Sequence, residues 1–127
     1  MESIRQLQVA ELIKRNFSML LQSEGSYIYG PGILVTVTNV KMSPDLSAAR
    51  IYLSIFNTEN KQEVILHLES EITHLRQGLG RRIKNHVRRI PEISFFIDDT
   101  LDEMYQVNKL FSRLEEEGQM GKSEEEE

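Results

Sequence analysis

The amino-acid sequence predicts an α+β fold, with elements in the order helix, strand, strand, helix, kinked helix, strand, helix. Three observations predict it. The spacing of apolar residues switches from the three-and-four rhythm of a helix to the every-second rhythm of a strand, and back again. Glycine, proline and aspartate mark each switch. A long apolar stripe in the middle of the chain is interrupted by two glycines. At 127 residues the chain has the length of one ordinary domain.

From Ser3 to Gln22 the apolar residues Ile4, Leu7, Ala10, Ile13, Phe17, Leu20 and Leu21 fall on one helical face. Ser3, followed three residues later by Gln6, has the form of a capping box. Gly25 and then Gly30-Pro31-Gly32 are expected to end this helix and open a loop. Large aliphatics alternate with polar residues in Leu34-Val35-Thr36-Val37-Thr38-Asn39-Val40, the pattern of a strand with one covered face. Ser43-Pro44-Asp45-Leu46-Ser47 has turn chemistry. Alternation returns from Ala49 to Phe56, so the two strands are expected to form an antiparallel hairpin. Asn60, with Glu63 three residues on, caps a second helix.

The apolar stripe then runs Val64, Leu68, Ile72, Leu75, Leu79, Ile83, Val87 and Ile90. It is too long for one straight helix in so small a domain, and it contains Gly78 and Gly80. Each glycine costs about 1 kcal/mol relative to alanine inside a helix. Two helices meeting at a kink over Gly78, Leu79 and Gly80 are therefore expected, the second stopped by Pro91. Ile93 to Ile97 reads as a short apolar strand, and Thr100 with Glu103 opens a last helix running to Leu114.

The last thirteen residues, 115–127, contain seven glutamates, one lysine, and Met120 as their one large apolar side chain. Such a segment cannot bury enough apolar area to offset the entropy of ordering it. The expected division is a folded domain over 1–114 and an acidic, disordered tail over 115–127. The tail also dominates the net charge. The whole chain has 15 basic and 20 acidic residues, a formal charge of −5; without the tail 14 basic and 13 acidic remain, a body at +1. An acidic whole-chain balance is thus a weak argument against a nucleic-acid partner.

The body's charge is unevenly placed. Between His74 and Pro91 lie six basic residues, Arg76, Arg81, Arg82, Lys84, Arg88 and Arg89, and no acidic one. The preceding helix carries Glu63, Glu69 and Glu71, with no lysine or arginine from Gln62 to Leu75. A basic run of this kind attracts a phosphate backbone, and arginine holds phosphate oxygens bidentately. Glycines at the junction would let an RNA backbone approach, and the N-terminal amides of the second helix favour anions. The competing reading is a solvated basic face, or one neutralised by the acidic helix beside it. Phe95 and Phe96 sit on a strand expected to be core, so recognition by backbone and shape is expected over base stacking.

Other chemistries find little support. Without cysteine there is no disulfide, thiolate metal site or thiol nucleophile. Glu71 and His74 have the spacing of half a di-iron motif, but the second half is missing; no metal or other cofactor is expected. Gly30-Pro31-Gly32 lacks the glycine-lysine ending of a phosphate loop. Asp98-Asp99 and Asp102-Glu103 fall at a strand end and a helix start, where carboxylates are stabilising without catalysis. Asn16-Phe17-Ser18 fits a glycosylation sequon, but lies inside a helix. The N-terminus has no apolar stretch of signal-peptide length, and no run approaches a membrane span, so a cytoplasmic protein without a membrane partner is expected.

Several short pieces, taken in order and spacing, resemble one family. They are Val9 to Ile13, Val35 to Val40, Ser43 to Leu46, Ala49 to Ser54, Leu75-Arg76 ahead of Gly78-Leu79-Gly80, Ile90 to Phe95, and Asp98. Across residues 3–114 the chain resembles ribosome-binding factor A, a bacterial small-subunit assembly factor. The resemblance implies a type II KH-like fold, with a three-stranded sheet packed against helices. It also implies an alanine-x-glycine helix kink in place of the glycine-rich KH loop, matched here by Gly78-Leu79-Gly80. The implied function is non-catalytic binding to immature small ribosomal subunits and their rRNA during late maturation, often important in the cold. No small-molecule substrate is implied, and a monomer is expected. The chain departs from its relatives in having no basic residue from Ser26 to Gly32, and only Arg5, Lys14 and Arg15 on the first helix. The binding role therefore shifts toward the kink and the helix after it. The runner-up reading is a protein-interaction adaptor whose basic helix docks on an acidic protein.

Overall fold

Ser3 starts the first helix with the capping box its sequence predicts: its Oγ accepts the Gln6 N–H at 3.1 Å, and Gln6 Oε1 accepts the Ser3 N–H at 2.7 Å. In the computed structural model, which describes residues 2–99, this helix is α1, Ile4–Tyr29. It runs through Gly25, where a stop was expected, and ends at Gly30, whose φ of 100° only glycine adopts readily. Gly25 is buried and serves as a contact: a β-carbon there would run into the Tyr29 phenol one turn on. The buried stripe of α1 includes Val9, Ile13, Phe17 and Leu20. Burying side chains of this size contributes about 1.5–3 kcal/mol each.

Strand β1, Leu34–Met42, pairs antiparallel with β2, Ala48–Phe56, from Leu34 opposite Phe56 to Met42 opposite Ala49. The register shifts between Val37 and Asn39, leaving Thr38 at a bulge. The joining turn is held by Asp45, whose Oδ1 accepts from Ser43 Oγ (2.8 Å), Ser47 Oγ (2.7 Å) and the Ser47 amide (3.1 Å). These bonds favour the ionised carboxyl and lower its pKa to about 2. Strand β3, Glu92–Ile97, pairs in parallel with β2, giving the sheet order β1-β2-β3.

The connection from β2 to β3 passes through α2, Lys61–Ser70, and α3, Ile72–Ile83. Asn60 caps α2 by accepting the Glu63 N–H at 3.1 Å. The helices cover one face of the sheet, α1 against β1 and α3, and α2 against β3. Between the layers lie Val37, Val40, Ile51, Leu53, Ile55, Leu68, Leu75, Leu79 and Phe95, each at most 5% exposed.

Two expectations need correction here. A bent helix pair is present, but the bend lies at Ser70-Glu71, not over Gly78, Leu79 and Gly80, which sit inside α3. The Ser70 hydroxyl donates to the His67 carbonyl at 2.7 Å, and the Glu71 amide donates to the Leu68 carbonyl at 3.1 Å, tightening that turn out of α-helical pattern. The glycines serve packing instead. A β-carbon on Gly78 would lie 3.0 Å from Leu20 Cδ1, and one on Gly80 would lie 3.2 Å from Ile90 Cγ1. The second correction is the end of α3, which comes at Ile83 and not at Pro91. From there the His86 amide turns back to the Ile83 carbonyl at 2.8 Å. The irregular segment 84–91 returns along the helix and delivers β3 to β2. The last helix expected from Thr100 and the acidic tail both lie outside the described residues.

Candidate nucleic-acid interface

The six basic residues singled out in the sequence divide by environment. Arg76 is half-buried, and its guanidinium donates from Nη2 to the Ile90 carbonyl (2.9 Å) and from Nε to the Pro91 carbonyl (3.1 Å). It pins the returning segment against α3, satisfying carbonyls that a continued helix would have paired. Arg81, Arg82, Lys84, Arg88 and Arg89 are all exposed. Among the described residues no carboxylate pairs with any of these five; Lys61 pairs with Asp99 at 3.3 Å, and His74 shares a hydrogen bond with Glu24 at 2.7 Å. The acidic α2 therefore does not neutralise the basic run.

Helix α3 runs antiparallel to α1: His74 meets Glu24, Gly78 meets Leu20, and Arg5 Nη2 donates to the His86 carbonyl at 3.0 Å. This brings the segment after α3 beside the start of α1 and adds Arg5 to its cations Arg88 and Arg89. Arg5 was read in the sequence only as one of few cations on its helix. Eighty-one positions separate it from its partner, so no local pattern could have joined them.

Arg81 and Arg82 occupy the last turn of α3, where positive charge also suits the helix dipole. The N-terminal amides of α3, expected to favour an anion, lie at the other end of the helix beside Glu71. They are not part of the cationic cluster.

The sequence also hid an aromatic pair. Phe95 is buried as expected, its ring 5.7 Å from Phe17, but Phe96 is 41% exposed. Alternation turns Phe96 to the sheet face away from the helices, where its ring stacks on Tyr52 at 5.5 Å and 28°. Of the remaining candidates, Asp98 accepts the Thr38 hydroxyl at 2.6 Å and Asp99 pairs with Lys61. Glu71 and His74 form no metal cluster with other ligating residues among those described. Gly30 and Gly32 both have positive φ, as a tight turn requires. No described helix is long and apolar enough to cross a membrane.

Comparison with known proteins places this arrangement. Residues 5–111 match the family described as Ribosome-binding factor A. The chain belongs to the ribosome-binding factor A family. Ribosome-binding factor A of Cytophaga hutchinsonii is 38% identical over 114 residues, covering 90% of this chain and 85% of that protein. The protein of the same name from Chloroherpeton thalassium is 36% identical over 115 residues, covering 90% of each. The crystal structure of ribosome-binding factor A from Thermus thermophilus matches with a TM-score of 0.60 at 24% identity, over 72% of this chain and 94% of that one. A homology model of the Thermus thermophilus protein, fitted into a cryo-EM map of its complex with 30S, matches with a TM-score of 0.55 at 26% identity, over 68% and 88% of the two chains. The KH-like α+β architecture implied by the resemblance is thus the one this chain shares with ribosome-binding factor A structures.

Proposed function

We propose that this protein is a non-catalytic assembly factor that binds immature small ribosomal subunits in the cytoplasm through their rRNA during late maturation. The observation that carries the reading is the set of five exposed cations, Arg81, Arg82, Lys84, Arg88 and Arg89, none paired with a carboxylate among the described residues. Such a set turns toward a polyanion without breaking an ion pair to any described residue. Arginine dominates it, which suits bidentate contact with phosphate oxygens. Membership of the ribosome-binding factor A family and the likeness to the Thermus thermophilus protein fitted into a 30S complex support the same partner.

Sedimentation on a sucrose gradient tests this. The protein is expected to travel with free and immature small subunits and not with complete ribosomes, and to be released by nuclease. The triple variant Arg81→Glu, Lys84→Glu, Arg88→Glu is expected to stay at the top of the gradient. Association that survives both nuclease and the triple variant would overturn the reading in favour of a protein partner.

A further inference from the structure

Three elements far apart in sequence enclose a cavity of about 490 Å³: the start of α1, the β1–β2 turn and the segment after α3. That volume lies within the range of ~300–1,000 Å³ usual for ligand sites. Its walls are of two kinds. Part-exposed Leu46 and Val87 give it apolar surface over the buried Val9 and Pro91, while Arg5, Arg88 and Arg89 line it with positive charge. The bond from Arg5 to the His86 carbonyl ties two of the three elements together. The third is held by Asp45, and there Leu46 keeps a φ of 63°, a left-handed conformation uncommon for a non-glycine residue.

We propose that this cavity takes one unpaired nucleotide of RNA, its base against the apolar wall and its phosphate on Arg88 and Arg89. The inference rests on the RNA-binding reading above and deepens it. A ligand with a flat apolar ring and an attached anion matches both kinds of wall at once, and arginine planes also stack on bases. Asp45, ionised and on the same wall, repels phosphate, so it sets the direction: phosphate toward the arginines, base edge toward the turn. A paired base cannot enter, because its faces are covered in the duplex. Single-stranded RNA is therefore distinguished from duplex at this place, whereas the cations of α3 alone would not distinguish them.

Amide signals followed by NMR during titration of the full chain test this, with a short single-stranded RNA and a blunt-ended RNA duplex as probes. The single strand is expected to shift Val9, Leu46 and Ser47 as well as the basic run of residues 81–89; the duplex is expected to shift residues 81–89 alone. Arg5→Ala is expected to weaken single-strand binding about tenfold and duplex binding only about threefold, the latter being its share as one cation of the cluster. Leu46→Gly removes part of the apolar wall without changing charge and relieves the left-handed backbone, so it is expected to fold normally and bind the single strand several-fold more weakly. Single-strand shifts confined to residues 81–89, or both variants binding like the wild type, would overturn the cavity proposal and leave the RNA-binding reading standing. No shift with either probe would overturn both.

Discussion

Helix α2 begins on a side-chain cap, Asn60, and exposes Glu63 and Glu69. Helix α3 begins without a side-chain cap and exposes Arg81 and Arg82 near its end. Inside, the two are alike, for Leu68 of α2 and Leu75 and Leu79 of α3 are all completely buried in the same core. The bend at Ser70-Glu71 changes the direction of the chain without interrupting the apolar stripe. Core pattern thus sets where both helices lie, and the water-facing residues set what each can meet. The cations that follow α3 stand apart from the acids of α2 because the bend and the antiparallel course along α1 carry that segment to the start of α1, where Arg5 joins Arg88 and Arg89.

The inner likeness and the outer difference can be broken separately. Leu68→Ala and Leu79→Ala are each expected to cost about 2–5 kcal/mol, measured by urea unfolding. A cost near zero for one of them would mean that its helix is not packed as described. Next in size, reversing Arg81, Lys84 and Arg88 to glutamate is expected to weaken rRNA binding about a hundredfold, or about 3 kcal/mol. Changing Glu63 and Glu69 to glutamine should alter it less than about twofold. Equal effects from the acidic helix and the basic run of residues 81–89 would remove the distinction between them.

The contact between α3 and α1 gives a smaller effect. Gly78→Val pushes a branched side chain into Leu20 and is expected to cost about 1–3 kcal/mol. Glu71→Gly at the bend, which is exposed, is expected to cost less than about 1 kcal/mol. The reverse order would restore the glycines as the hinge. The smallest effect belongs to the β1–β2 turn. Asp45 titrates at about 2 in the fold, against an ordinary value of 3.8, so its contribution is complete above pH 3.8 and lost as pH falls through about 2. Asp45→Ala is accordingly expected to lower the melting temperature at neutral pH, by an amount that shrinks as pH falls toward 2.

Local signals were legible in the sequence. The Ser3 capping box, the β1–β2 hairpin, the Asn60 cap and the alternation of β3 each depend on residues within a few positions of one another, and each is present. What could not be read depends on distant partners. Two glycines in a helix look alike whether they form a hinge or make room for a neighbour, and the neighbours, Leu20 and Ile90, are known only once the chain folds. Arg76 has the same charge as Arg81, but only the returning segment gives it two carbonyls to hold. Phe96 follows a buried phenylalanine, and which of the two faces outward depends on the sheet face the helices cover.

The dependence of rRNA affinity on salt concentration tests the central claim most directly. Five cations contacting phosphates predict a log–log slope of about −3 to −4, flattening toward zero when Arg81, Lys84 and Arg88 become glutamate. A slope already near zero for the wild type, or one the triple change leaves untouched, would contradict it.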